Sequence, residues 1–444
     1  MHVVPTPRAA GGRLRATARR GVPAVVAALA TYTFLVIGRV PDEFPSLRLA
    51  LVTAGLTGVL ALIGSPRDAG SVFRRAETRA VLALFGLSIA TIPFSLWPSE
   101  SLTFVTRSYA SVVFLFLVFV YRVRSTRSVQ IVLVGILAAM LFLEIALMLW
   151  GKGDRPQVTN TYDSNDIAFV MVCGLPIGVL WFLRGRGLGR YIAGFVAALA
   201  VLTVLHTRSR GGFVSLCIVM GILLVKAGRR RRLAVAAVAL ACILILSVFS
   251  SKGYWGRMAT IWGGSGAATT SVSEYDASGI WGARWGLWIG ALRLMLRQPV
   301  IGAGAGVGPV AEGLSHRGVG KWSTPHNSFL EIGVELGIPG LALFVFLLYR
   351  AVRNCRRVTR LSRARAGSDP EIWLAHAVEV SVYAYVIAGF SLSQAYSPIP
   401  YLLVAASVVL TRLASARARA SDPRAAPSAG SAGEGMTGPQ GEKA

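Results

Sequence analysis

Residues 321–340, KWSTPHNSFLEIGVELGIPG, place a histidine and an asparagine between a proline and a hydrophobic run. His326 is one of only five histidines in the chain. A neutral imidazole is well suited to take a proton from a hydroxyl group near neutral pH. A helix start would need only Asn327, because asparagine is a good N-cap. The stretch therefore has two interpretations, a helix cap and a general base held at a helix start.

Two carboxylates follow within the same hydrophobic run, Glu331 and Glu335. Carboxylates are costly in an apolar span and usually face a cavity or a partner. We expect both, together with Asn327, to be secondary residues of a site. Gln394 and Tyr396, on a short loop between two later apolar runs, could line the same cavity.

A second stretch, HTRSRGG at 206–212, concentrates arginine where two apolar runs meet. Arg208 and Arg210 could extend their charges to lipid phosphates at a membrane surface. They could equally form an anion site, since a guanidinium presents a fork of donors that matches phosphate oxygens. Gly211 and Gly212 would let the backbone approach an anion at the N-terminus of the next helix.

A third stretch, residues 278–306, predicts an amphipathic helix over 281–297. One face of this helix would be apolar, formed by Trp281, Trp285, Trp288, Leu292 and Met295. Arg293 and Arg297 lie on the opposite face, as expected for a helix on a membrane surface. Arg284 instead lies beside the apolar stripe, where it could bind an anion or stack on the tryptophans. The glycines at 302–308 indicate a tight, flexible connection.

A fourth stretch, TNTYDSNDIAFVMVCGLP at 159–176, introduces an apolar run with Asp163, Asn165 and Asp166. These residue types commonly cap helices, and they could also bind the hydroxyl groups of an acceptor sugar. The histidines, cysteines and carboxylates of the chain show no metal-ligand spacing, so we expect neither a metal nor a cofactor.

The composition places these stretches in a membrane protein. Of the 444 residues, 54% are hydrophobic and only 15% are charged, against roughly a quarter charged in a soluble protein. A bilayer-spanning helix needs about 20 apolar residues. On that basis twelve spans are expected, at 22–38, 47–63, 79–96, 103–121, 129–150, 166–183, 190–206, 212–226, 233–250, 327–349, 373–392 and 399–415.

The distribution of basic residues gives the predicted orientation. With the N-terminus in the cytosol, most of the 46 lysines and arginines fall in inside segments, as the positive-inside rule requires. The net charge of +26 is thus mainly a topology signal, and we expect no nucleic acid partner. The expected segments are a basic cytosolic arm at 1–21, nine spans within 22–250, an outer loop at 251–326, three spans within 327–415 and a disordered cytosolic tail at 416–444.

On these motifs the chain resembles the O-antigen ligase and O-antigen polymerase superfamily of bacterial envelope glycosyltransferases. The resemblance rests on SRGG at 209–212, on the segment from Arg284 to Gly304, on HNSFLEIGVELGIPG at 326–340 and on YDSNDIAF at 162–169. It implies an all-α integral membrane protein with about twelve spans and one large extracytoplasmic loop that carries amphipathic helices, similar to the GT-C class.

The resemblance also implies a reaction. A glycan on a polyprenyl diphosphate would be transferred, with inversion and without a metal, to the hydroxyl of a glycan, lipid or wall acceptor at the outer face of the cell membrane. It assigns His326 as the base, and Arg210 and Arg284 as ligands of the diphosphate, with Arg208 secondary.

Ligase and polymerase are not distinguished by these motifs. A transporter or flippase is the alternative class, and Glu144, inside a predicted span, is its main support. A structural scaffold would not need an arginine on an apolar face, so we rank it last.

Overall fold

The computed structural model describes residues 22–63, 69–151, 158, 162–228, 232–233, 236–237, 279–315, 322–364 and 370–421. The predicted N-terminal arm, nearly all of the ninth span, residues 251–278 of the outer loop and the tail from 422 lie outside these ranges. Within them every long regular element is a helix.

We number the described helices α1 to α15. In the first half they are α1 Ala24–Ile37, α2 Val40–Glu43, α3 Leu49–Leu62, α4 Ala69–Phe73, α5 Ala76–Ala90, α6 Pro98–Arg122 and α7 Thr126–Trp150. In the second half they are α8 Ser164–Arg184, α9 Gly189–His206, α10 Arg210–Ala227, α11 Gly279–Arg297, α12 Gly308–Ser315, α13 Ser328–Arg363, α14 Pro370–Gly389 and α15 Pro398–Ala420. Short 3₁₀ turns cover Pro45–Leu47 and Ile92–Phe94, and Phe104–Tyr109 within α6 is π-helical.

Of the helices in the described ranges, eight are long and apolar enough to cross a bilayer. Each predicted span that falls within these ranges contains a helix, although α5 ends at Ala90 and α13 extends to Arg363, beyond the predicted bounds. The prediction of an all-α membrane protein is confirmed. The count of twelve spans stays a prediction.

The centre of the bundle is formed by α8, α13, α14 and α15. Helix α8 packs against α9 and α14, and α13 packs against α14 and α15. Small residues allow the closest of these approaches: a Cβ atom at Gly178 of α8 would lie 2.8 Å from the carbonyl oxygen of Ala193 in α9. Close backbone approach at small residues is the usual means of helix association in lipid.

Helix α13 is broken at Gly337, which has φ 66° and ψ −168°. The break leaves the carbonyls of Val334 and Glu335 available, and they accept hydrogen bonds from the backbone N–H groups of Ala303 (2.8 Å) and Gly304 (3.0 Å). A Cβ atom at Gly337 would lie 2.5 Å from the carbonyl oxygen of Pro299, so glycine is required there. The glycine-rich connection is therefore held in place by hydrogen bonds, in contrast to the flexibility expected from its composition.

At the end of the bundle where α8 and α10 terminate, three buried glutamates form ion pairs between helices. Glu77 of α5 pairs with Arg350 of α13 at 2.8 Å. The other two pairs are Glu379 with Lys226, at 2.7 Å, and Glu371 with Arg417, at 2.9 Å. Since a buried carboxylate is costly without a partner, these pairs fix how the helices meet at this end.

We expect Arg350→Ala to lower the free energy of unfolding by about 2 kcal/mol. Loss of one partner from a fully buried pair costs about 3–5 kcal/mol, and the partly exposed Arg350 side chain reduces that cost. Thermal unfolding in detergent would measure it. Arg353→Ala, which removes an exposed arginine from the same helix, is the control, and an equal loss in both variants would contradict the prediction.

Candidate active site

Three helix N-termini face the candidate site, and each has a side-chain cap. Asp163 accepts hydrogen bonds from the backbone N–H groups of Asn165 (2.7 Å) and Asp166 (2.9 Å) at the start of α8. Ser209 accepts one from Gly212 (3.1 Å) at the start of α10. Asn327 caps α13, as the sequence predicts. Helix N-termini carry positive partial charge, so their convergence favours an anion.

Asn327 accepts from the backbone N–H groups of Phe329 (2.9 Å) and Leu330 (3.1 Å). The side chain is buried and both bonds are local. This fixes the first turn of α13, and with it the backbone position of the residue before the cap, His326.

Side-chain hydrogen bonds join these helix starts across the site. The Ser209 hydroxyl donates to Oδ1 of Asn165 (2.7 Å), which connects α10 to α8. The Gln394 amide donates to Oδ1 of Asp166 (2.8 Å), and the Gln394 backbone N–H donates to the Ser328 hydroxyl (3.0 Å). The loop after α14 therefore connects α8 to α13. Gln394, which the sequence predicts to line a cavity together with the glutamates of α13, therefore contacts the Asp166 side chain of α8.

Arg284 of α11 lies against the SRGG stretch. A Cβ atom added at Gly211 would be 3.4 Å from Nη1 of Arg284 and 2.8 Å from the hydroxyl of Ser391. Arg284 also lines a narrow cleft together with Asn165 and Ser209. The structure therefore brings two of the predicted anion-binding stretches together, although they are far apart in the sequence.

A second contact ties α11 to the histidine stretch. The Trp288 indole N–H donates to the carbonyl oxygen of Pro325 at 3.1 Å. The same helix buries Ala291 and Met295 against a small apolar cluster that includes Val334 of α13. The buried face of α11 is thus rotated from the predicted stripe, and Trp285 is exposed while Arg284 is half-buried.

His326 has left-handed backbone geometry, with φ 47°. Residues other than glycine seldom adopt this region, although His and Asn are enriched in it. Burial lowers the pKa of His326, and the positive charge of Arg284 lowers it further, while Asp163 acts in the opposite direction. The imidazole is therefore neutral at neutral pH and able to accept a proton.

The remaining arginines take different positions. Arg208 also has left-handed geometry, with φ 53°, at the turn between α9 and α10, and Arg210 is the half-buried first residue of α10. Arg293 and Arg297 are exposed, consistent with the solvated face predicted for them.

The two glutamates of α13 each hold backbone N–H groups. Glu331 accepts from Ala395 (2.8 Å), and Glu335 accepts from Gly306 (2.8 Å) and Gly308 (3.1 Å). Both carboxylates thus fix loops around the site. The ring of Tyr396 packs edge to face against Phe104 and Tyr109, and burial, followed by the charge of Glu335, raises the pKa of its phenol.

Some site residues were not identified from the sequence. Ser209 was included only as part of SRGG, and neither Ser328 nor Ser391 was singled out. The spacing of Ser209 and Gly212 is that of a helix cap and gave a usable signal. The contacts of Ser209 with Asn165, and of Gly211 with Ser391, join distant segments and have no local signature. Among the residues that the structure describes, no three His, Cys, Asp or Glu side chains cluster in a way that could hold a metal ion.

Fold and site together define an α-helical, multi-pass membrane protein in which Arg284 lines a narrow cleft and His326, a histidine with a lowered pKa, precedes the start of α13. Residues 195–345 match the sequence model of the O-antigen ligase family. This match confirms the resemblance to the O-antigen ligase superfamily, and it includes SRGG, Arg284 and the His326 stretch, though not Asp163 to Asp166. No curated protein in the comparison matches the chain. The family match supports an enzyme of glycan transfer that acts in a membrane.

We expect Glu335→Gln to destabilise the protein by about 2 kcal/mol, because the amide nitrogen that replaces one carboxylate oxygen cannot accept a hydrogen bond and leaves one glycine N–H buried without a partner. Thermal unfolding in detergent is the measurement. The exposed Glu43→Gln serves as the control. An unchanged unfolding temperature for Glu335→Gln would show that its carboxylate does not hold the connection.

Proposed function

We propose that this protein transfers an oligosaccharide or polysaccharide from a polyprenyl diphosphate donor to an acceptor hydroxyl at the extracytoplasmic face of the cell membrane. The observation that carries the proposal is the position of His326: its imidazole is neutral, lies beside Arg284, and precedes the capped start of α13. The family match to O-antigen ligase supports the same reaction class.

The chemistry follows from the charges around the cleft. His326 takes the proton of the acceptor hydroxyl, whose oxygen attacks the anomeric carbon of the donor sugar. The bond from that carbon to the diphosphate oxygen breaks, and the diphosphate leaves with the electron pair. Arg284 and Arg210, with the N-terminus of α10, stabilise the charge that develops on it. One in-line displacement inverts the anomeric centre and involves no metal or cofactor.

The acidic residues at the start of α8 have supporting roles in this proposal. The negative charge of Asp163 favours protonated His326 and so stabilises the imidazolium that forms during transfer. Asn165 and Asp166, held by Ser209 and Gln394, would orient hydroxyl groups of the acceptor sugar. Arg208 stays a secondary candidate for the diphosphate.

The orientation belongs to the same proposal. The ion pairs of Glu77, Glu371 and Glu379 lie at the end of the bundle opposite the site, and the described parts of the basic loops predicted to be cytosolic are at that end. Both termini would then be cytosolic and the cleft extracytoplasmic. The acceptor, whether glycan, lipid or wall polymer, determines whether the enzyme is a polymerase or a ligase.

A transporter of an envelope glycan or anion is the second candidate, and Glu144 is the observation that favours it. Glu144 is buried in α7, and within the described residues neither of its carboxylate oxygens has a hydrogen-bond partner. Isolated carboxylates in spans are typical of ion and proton pathways. Glu144→Gln would abolish substrate movement in a proton-coupled transporter and leave glycan transfer intact in the proposed enzyme.

The central test incubates the purified protein with a polyprenyl diphosphate oligosaccharide and candidate acceptors, and measures released polyprenyl diphosphate. The wild type should release it. His326→Asn should not, because asparagine accepts the left-handed backbone geometry but provides no base. We expect a loss of at least about 100-fold. Turnover by His326→Asn equal to the wild type would eliminate His326 as the base.

The pH dependence follows from the lowered pKa of His326. Because the base must be neutral, and an ordinary histidine titrates near about 6.5, activity should be constant at neutral pH and decline only below that value. Arg284→Gln removes the charge that lowers this pKa, so the decline should move to higher pH. A pH–rate profile that is identical for both proteins would contradict the electrostatic link between these residues.

Arg284→Lys tests the anion site, because it keeps the charge and removes the fork of donors. Loss of charge-assisted hydrogen bonds worth about 1.5–3 kcal/mol should lower kcat/KM by roughly 10- to 100-fold. Arg293→Lys, on the exposed face of the same helix, is the matched control and should match the wild type. Full activity of Arg284→Lys would count against a diphosphate contact.

A further inference from the structure

A second cavity lies further from the N-terminus of α8 than the arginine cleft. It has a volume of about 140 Å³ and lies between α8, α9 and α10. Its lining is almost wholly apolar and includes Leu175, Val179, Phe182, Ala198, Val201 and Met220. A cavity of this size and lining accommodates roughly a benzene-sized hydrocarbon, which excludes a sugar and suits a segment of a lipid chain.

One face of α8 lines both cavities. The residues of this face are Asn165, Ala168, Val172, Leu175, Val179 and Phe182, separated alternately by three and four positions. This spacing forms a single stripe along a helix. The first three line the cleft that contains Arg284, and the last three line the apolar cavity. The stripe therefore leads from the proposed diphosphate site into the membrane interior.

The cavity is open towards the bilayer and closed at its far end. Phe182, Tyr191 and Phe195, which line it, are all exposed on the surface of the bundle. At the far end the rings of Phe182 and Tyr191 meet edge to face at 6.2 Å, and the guanidinium of Arg190 lies 4.5 Å from the centre of the Tyr191 ring.

A glycine is needed to form this end of the cavity. A Cβ atom at Gly194 would lie 2.8 Å from the ring of Phe182, which would displace that ring. A chain could thus enter sideways from the lipid and stop against the Phe182–Tyr191 pair.

We propose that this cavity binds the isoprenoid chain of the lipid donor while the diphosphate lies at Arg284. The inference rests on the proposed function, which supplies the diphosphate position, and adds where the hydrocarbon part of the donor is recognised. The distance from Ala168 to Val179 along α8 is about 16 Å at 1.5 Å per residue. A long polyprenyl chain spans it, and a donor with a two-unit prenyl chain does not.

Two neighbouring residues of α9 provide a matched test. Ala198 and Leu199 are both half-buried, and of the two only Ala198 lines the cavity. Ala198→Trp fills the cavity, and the lost burial of two or more methylene groups should raise the KM for the long-chain donor about tenfold. Leu199→Trp puts the same indole ring on an adjacent face of the helix and should leave that KM unchanged. Neither substitution should alter turnover of a donor with a two-unit prenyl chain.

Three kinetic results would overturn this inference: an unchanged KM for the long-chain donor in Ala198→Trp, an equal rise in both variants, or an equal effect of Ala198→Trp on the two-unit donor. Binding of polyprenyl phosphate without a glycan, measured by native mass spectrometry, separates the inference from the proposed function. If the wild type transfers no glycan, the function fails. If Ala198→Trp loses polyprenyl phosphate binding and Leu199→Trp keeps it, the result would still support the cavity as the isoprenoid site. If a phospholipid occupies the cavity and polyprenyl phosphate does not displace it, the inference is refuted.

Discussion

The approach of the Arg284 guanidinium to the backbone of Gly211 is the contact on which the site depends. It is favoured by a residue without a side chain at the start of α10, because a Cβ atom at Gly211 would lie 2.8 Å from the hydroxyl of Ser391 and would touch Nη1 of Arg284 at 3.4 Å. It also requires α11 to be held in place, which the bond from Trp288 to Pro325 and the packing of Met295 achieve. Only then does a positive charge stand beside His326, where it adds to burial in lowering the pKa of the imidazole.

Helix capping and chemistry are combined at this end of the bundle. In a membrane, the unpaired N–H groups at a helix start must find partners, and Asp163, Ser209 and Asn327 satisfy them. The same caps fix the height and direction of the neighbouring site residues. The capping interpretation and the functional interpretation of the Asp163 and Asn327 stretches are thus compatible, since one interaction serves both.

Much of the fold and part of the site were predictable from the sequence. Apolar runs separated by basic loops predicted the helices, because lipid imposes a length and a charge rule on each span. The caps at Asp163 and Asn327 followed from local residue types. The rotation of α11 did not follow from the sequence, because the choice of Trp285 or Met295 as the buried residue depends on which side chains of α13 pack against α11. The partners of Glu335 were equally hidden, since they are backbone groups of a distant segment.

The break in α13 also sets how this region tolerates changes in length. Glu335 accepts from Gly306 and Gly308, while the carbonyls freed by the break hold Ala303 and Gly304. All four attachment points lie within one short segment, so their spacing along the chain is fixed. Inserting or deleting a single residue between Gly302 and Gly308 would put at least one pair out of register, whatever amino acid was involved. The number of residues in this connection is thus constrained together with the glycines at 302, 304 and 306, which all have positive φ and where a Cβ atom would lie 2.4 Å or less from a neighbouring atom.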